Sequence, residues 1–137
     1  MSPRRFALHL GSGILVLGLA FGSGCQIGDP IVPFVIQVDT IEAIPDTIQA
    51  GSKLILTFRG TMGPDKCWMF DRADFVRTEA AYEVKFWGRR VVRDACPQTP
   101  NEMEFIADLF PPFADPFRVT VTQPNGSTLE RLIPHQP

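Results

Sequence analysis

The chain has 137 residues, with 13 Lys and Arg against 15 Asp and Glu, 45% hydrophobic residues, 13 prolines and 11 glycines. All 15 acidic residues lie beyond residue 24, together with all but two of the basic ones; no block of either sign forms, which excludes the basic field of a general nucleic-acid binder. The apolar content excludes a disordered chain, and the proline and glycine content points to many turns.

The first segment is an address. Arg4 and Arg5 form a positive start, Phe6 to Phe21 is an apolar run, and Gly22-Ser23-Gly24 offers the small residues a peptidase needs. As a helix the apolar run spans about 24 Å, short of a hydrocarbon core of about 30 Å, so a removable signal helix over residues 1–24 fits better than a permanent span. Phe6 follows the arginine pair directly, which favours the general secretory route over the twin-arginine one.

Ser23-Gly24-Cys25 resembles the lipobox of bacterial lipoproteins, with Gly22 where leucine is usual. The resemblance implies that Cys25 carries diacylglycerol and becomes the mature N-terminus. Two or three acyl chains hold a domain at a membrane persistently, where one chain binds only marginally. Gln26 stands where such signals carry Asp for inner-membrane retention, so the expected address is the outer membrane of the bacterial envelope, on its periplasmic or surface face. Removal of the signal leaves about 110 residues, enough for one small domain and not two. Assigning Cys25 to lipid leaves Cys67 and Cys96 as an even pair in a compartment that permits disulfides. Closing their loop of about 30 residues would stabilise by roughly 3–4 kcal/mol. The rival reading of this pair as metal ligands lacks a C-x-x-C and has only His135 beyond the signal to draw on.

Beyond a tether over residues 25–30, the period is two. Val32, Phe34, Ile36 and Val38 form a first alternating run, and Leu54, Leu56 and Phe58 a second after the Ala50-Gly51-Ser52 turn. Cys67 to Arg77 is a less regular third segment, and Arg72 to Ala81 is the one place where a short helical turn is expected. Tyr82, Val84 and Phe86 alternate with Glu83, Lys85 and Trp87 before Gly88. Met103, Phe105 and Ala107 mark a fifth strand, and Phe117, Val119 and Val121 a sixth. Pro124-Asn125-Gly126-Ser127 then turns the chain into a last run from Leu129 to Ile133. Asn-Gly is a strong hairpin signal because both residues tolerate positive φ. About seven strands over residues 31–137 predict an all-β sandwich, with a small β-barrel as the alternative that strand count leaves open.

Several segments together resemble small bacterial envelope proteins with one Ig-like (fibronectin-like) domain: Ala50-Gly51-Ser52, Leu56 to Gly60, Cys67 with Phe70-Asp71-Arg72, Val84 to Arg90, Cys96, and Phe117 to Val121. The resemblance implies an Ig-like sandwich and a Cys67–Cys96 disulfide running from the start of one strand to the loop after the next. It implies no activity.

The chemistry expected at a site is sparse. His135 lies three residues from the end and the mature serines Ser52 and Ser127 fall in turns, a poor basis for a nucleophile–histidine device. Asp65, Asp71, Asp74, Glu102, Glu104 and Asp108 offer carboxylates for a small hydrolase, against the plainer reading of a solvated face. Asp71 and Asp74 also suit calcium, though not at the spacing of a dedicated loop. Lys85, Arg89, Arg90 and Arg93 read as an outward face paired with Glu79, Glu83 or neighbouring carboxylates. Trp87 is either a partner anchor or core, and Phe110 and Phe113 either pack over one end of the sandwich or face a partner. The expected function is a lipid-anchored, non-enzymatic interaction or structural module, using no cofactor or metal, bound to the membrane through its anchor and to an envelope protein or glycan. A carbohydrate-binding sandwich using Trp87 is the alternative, and a carboxylate hydrolase the less favoured one.

Overall fold

The structure is a computed structural model describing residues 28–137, so the expected signal helix over residues 1–24 and the expected lipid site Cys25 lie outside the described residues. Eight strands form: β1 (Ile31–Val35), β2 (Gln37–Ile44), β3 (Leu54–Gly63), β4 (Trp68–Arg77), β5 (Ala81–Val91), β6 (Asn101–Leu109), β7 (Phe117–Thr122) and β8 (Thr128–Ile133). They make a five-stranded sheet of β1, β4, β5, β7 and β8 and a three-stranded sheet in the order β2-β3-β6. The sheets do not close on each other, which removes the barrel alternative and leaves a sandwich-like pair of layers.

The first alternating run is two strands. β1 lies antiparallel on β5, with Phe34 opposite Gly88 and Val35 opposite Trp87. Ile36 N–H still donates to the Phe86 carbonyl at 2.9 Å; the chain then crosses and pairs with β3 as β2. Phe34, Ile36 and Val38 keep pointing at the same core throughout, so the side-chain alternation runs on while the hydrogen-bonding partner changes. Gly88 is required by this arrangement, because a Cβ there would fall within the Phe34 ring.

β5 is the hub of the larger sheet. β4 occupies one edge of it from Tyr82 to Arg90. The other edge is shared end to end by β1, antiparallel over residues 87–91, and β7, parallel over residues 81–84. Apolar positions 82, 84 and 86 of β5 and 54, 56 and 58 of β3 meet between the sheets, with Phe58 and Phe86 centroids 5.2 Å apart. Phe105 of β6 closes on Phe86 at 5.1 Å. β4 runs unbroken to Arg77 apart from a bulge between Phe70 and Arg72. The helical turn expected over Arg72 to Ala81 is therefore confined to a tight turn, in which Thr78 N–H donates to the Ala81 carbonyl and Ala81 N–H to Thr78 Oγ1. The β7–β8 hairpin forms at Asn125-Gly126 as expected, but only Gly126 takes positive φ. Gly126 N–H donates to the Gln123 carbonyl and Gln123 N–H to the Ser127 carbonyl, a longer loop with one left-handed glycine rather than a two-residue turn.

The two long sides of the sandwich differ. Along the β2–β8 side, side chains join the layers: Gln123 engages the backbone of Val38, and Arg131 Nη1 donates to the Ile41 carbonyl at 2.6 Å. The C-terminal residues add to this, with Ile48 N–H donating to Pro134 and Gln136 N–H to Ile48. Along the β4–β6 side, side-chain bonds among the described residues stand at the two ends. Asn101 Nδ2 donates to the Trp68 carbonyl at one end, and Arg77 reaches the Phe110 and Pro112 carbonyls at the other.

Candidate interaction surface

Cys67 and Cys96 form a disulfide across a sequence separation of 29, with Cα atoms 5.7 Å apart. It ties the residue before β4 to the loop after β5, as expected. The Asp65 carboxylate lies within 4.8 Å of both sulfurs. It accepts the Cys67 N–H at 2.8 Å, so this convergence of donor atoms is a capped cystine rather than a metal centre. Lys66 N–H donates to the Pro97 carbonyl, and the Lys66 amine to Asn101 Oδ1, which fixes the rest of the corner.

Trp87 projects from the outer face of β5 and is half-buried. Its Nε1 donates to Asp74 Oδ2 at 2.7 Å, and its ring lies 4.4 Å from Lys85 Nζ and 5.0 Å from Arg72 Cζ. It is therefore neither core nor a bare ledge: two cations cover the π-face that a ligand would stack on. Of the basic group, Arg90 lies over Trp68 at 4.9 Å and Arg93 approaches Asp29 at 3.8 Å. These cations engage indoles and a residue ahead of β1 instead of Glu79 or Glu83.

The Phe110–Phe117 loop does both things its sequence allowed. Phe113 packs edge-on against Phe117 at 5.1 Å, while Phe110 is 65% exposed. Arg77 makes the difference. Its Nη2 donates to the carbonyls of Phe110 and Pro112 at 3.1 and 2.9 Å, and its guanidinium lies 4.9 Å from both the Phe113 and Phe117 rings. Desolvation there lowers the Arg77 pKa from its ordinary value. Ala114 N–H to the Glu79 carbonyl and Arg118 N–H to that of Ala80 secure the far end. The loop thus holds one phenyl ring outward on a fixed base.

The candidate carboxylates fall into separate groups: Asp71 and Asp74 share Arg72, and Glu102 and Glu104 line one depression. Glu104 pairs with Arg59 and Asp108 with Lys53. The outer face of β2-β3-β6 has a depression of about 410 Å³ lined by Asp39, Arg59, Glu102 and Glu104. Arg59 bridges Glu42 and Glu104 there, and hydrogen bonding to these carboxylates raises its pKa. This is a solvated ion network of the kind that contributes little individually.

Phe75 and Val76 of β4 are 59% and 60% exposed. Phe75 stacks on Tyr82 at 5.5 Å and Phe70 on Phe105 at 6.0 Å, so the open β4–β6 side carries a line of aromatics. The sequence reading had no means of finding this line, nor Arg77, because neither residue carries a motif and the Arg77 partners lie more than thirty positions away. No family model, curated protein or solved structure matches the chain.

Proposed function

We propose that the chain is a non-enzymatic interaction module: an Ig-like sandwich held at the bacterial cell envelope by lipid on Cys25, presenting an apolar contact to another envelope component. The observation that supports this best is the rigid display of Phe110. A phenyl ring held exposed on a loop that Arg77 fixes through two carbonyls loses little entropy on binding, which is what a contact surface requires. The Ig-like assignment is supported by two packed layers of mostly antiparallel strands; the parallel β5–β7 pairing is this chain's own variation. The cations over Trp87 count against the carbohydrate-stacking alternative.

Two measurements test the reading separately. The mass of the N-terminal peptide from cells is expected to show Cys25 with diacylglycerol and residues 1–24 removed; an unmodified Cys25 overturns the anchor. A photo-crosslinking residue in place of Phe110 is expected to capture a defined envelope component in cells, and a uniform absence of adducts overturns the contact.

A further inference from the structure

β4 is an edge strand of ten residues, and exposed edges of that length template pairing with another chain. The direction of its free backbone groups follows from the ladder. The Phe86 carbonyl is taken by Ile36 N–H, so the backbone groups of Phe86 face β1 and not β4. Its partner Ala73 is therefore in a non-hydrogen-bonded pair, and the Ala73 N–H and C=O point away from β5, as do those of Phe75 two residues on. Among the described residues no hydrogen bond to the main chain of residues 69–77 reaches that edge from elsewhere.

We infer that two copies of this chain pair antiparallel through β4, about a two-fold axis at Ala73. Charge selects the register. Opposed residues on an antiparallel pair share a face, so the residue numbers of opposed partners sum to an even value. A sum of 146 places Ala73 against Ala73, exchanging both hydrogen bonds across the axis, and sets Arg72 against Asp74 twice in the flanking pairs, where side chains stand closest. A sum of 144 opposes Arg72 to itself, and 148 opposes Asp74 to itself. The small Ala73 side chains leave room at the axis on the inner face, and Phe75 of each copy lies diagonal to Ala73 of the other, opposite Asp71 at the bulge. The other edges do not offer this match: β6 carries Glu102, Glu104 and Asp108 with no cation, β2 is engaged by Gln123 and Arg131, β8 has Glu130 and Arg131 at adjacent positions that cannot oppose each other on one face, and β1 carries no charge. The inference goes beyond the display reading and stands whether or not Cys25 carries lipid.

The test is sedimentation equilibrium of the full chain in mild detergent over a rising concentration series. A monomer–dimer equilibrium is expected. Arg72 and Asp74 also pair within each copy at 3.3 Å, so Arg72→Asp and Asp74→Arg each make that contact repulsive along with the two across the axis; with the monomer fold checked by circular dichroism, each is expected to weaken the dimer by about tenfold or more. The two substitutions together restore the opposite-charge register and are expected to recover most of the loss. Ala73→Pro removes the N–H at the axis; an edge-strand proline whose N–H faced solvent leaves the monomer fold intact, checked by circular dichroism, and is expected to abolish the dimer. A monomer at every concentration overturns the inference. So does a dimer that Ala73→Pro leaves unchanged, or one that the double charge swap weakens as much as either single reversal.

Discussion

Gln123 holds Val38 by both of its backbone groups: Val38 N–H donates to Gln123 Oε1 at 3.1 Å, and Gln123 Nε2 donates to the Val38 carbonyl at 2.9 Å. The side-chain amide, 6% exposed, acts as one residue of an extra strand on the free edge of β2. It sits where the chain has just crossed between layers and where β2 bulges between Val38 and Thr40. Leaving buried backbone groups unpaired there is costly. Gln123→Ala is therefore expected to lower unfolding stability by about 2–4 kcal/mol. Gln123→Glu keeps the acceptor but turns the donor into an anion facing a carbonyl, and is expected to fall at least as far. Urea unfolding of the three proteins checks both.

The disulfide closes a 29-residue separation that contains the whole β4–β5 hairpin. Replacing both cysteines by serine is expected to cost roughly 2–5 kcal/mol by restoring freedom to the unfolded chain. Most of β4 and β5 is paired independently of the bond, so the folded ladder is expected to persist while the loop around Cys96 loses amide protection. Hydrogen exchange separates these two effects from global unfolding.

Tyr82 is the only tyrosine in the chain and is buried against Phe58 and Phe75. Desolvation raises its pKa above the ordinary value of 10.0. A raised folded-state pKa means that the native state holds the proton more tightly than the unfolded chain. The contribution is thus complete below the unfolded pKa and lost as pH rises through the folded one. Stability is expected to decline above about pH 10, with tyrosinate absorbance appearing later than in the denatured protein. Tyr82→Phe is expected to flatten that alkaline decline.

Arg77 organises the loop that presents Phe110. Arg77→Ala removes two hydrogen bonds and two ring contacts, and is expected to cost about 1–3 kcal/mol. The loop from Phe110 to Pro116 is expected to become more susceptible to proteolysis. Arg77→Lys keeps the charge but not the planar fork, so it is expected to rescue little of the loss. Limited proteolysis beside thermal unfolding distinguishes local release from global destabilisation.

The alternation at Leu54-Leu56-Phe58, Tyr82-Val84-Phe86 and Phe117-Val119-Val121 marked the strands correctly, because burial on one face writes a period of two into the residues themselves. The same rule misjudged the first run. Phe34, Ile36 and Val38 face one core from two sheets, and side-chain alternation records the core, not the hydrogen-bonding partner. The second half of β2 was also missed, since Ile41 and Ala43 on either side of Glu42 make an alternation of only two apolar positions, too short to stand out. At the candidate surface, the position of Phe110 was legible and its exposure was not, because exposure depends on Arg77.

By itself, then, the order of residues determined an all-β domain, its hairpin at Gly126 and the pairing of Cys67 with Cys96, with a leader of lipoprotein type as an expectation. Only the tertiary structure decided which layer each strand joins, that Gln123 and Arg131 seal one side of the sandwich, and that β4 leaves the other side open. The reason is one of range. Periodicity and turn chemistry are local properties of neighbouring residues, whereas the Gln123 and Arg131 bonds join positions 85 and 90 apart in the chain, and no local pattern encodes such a meeting.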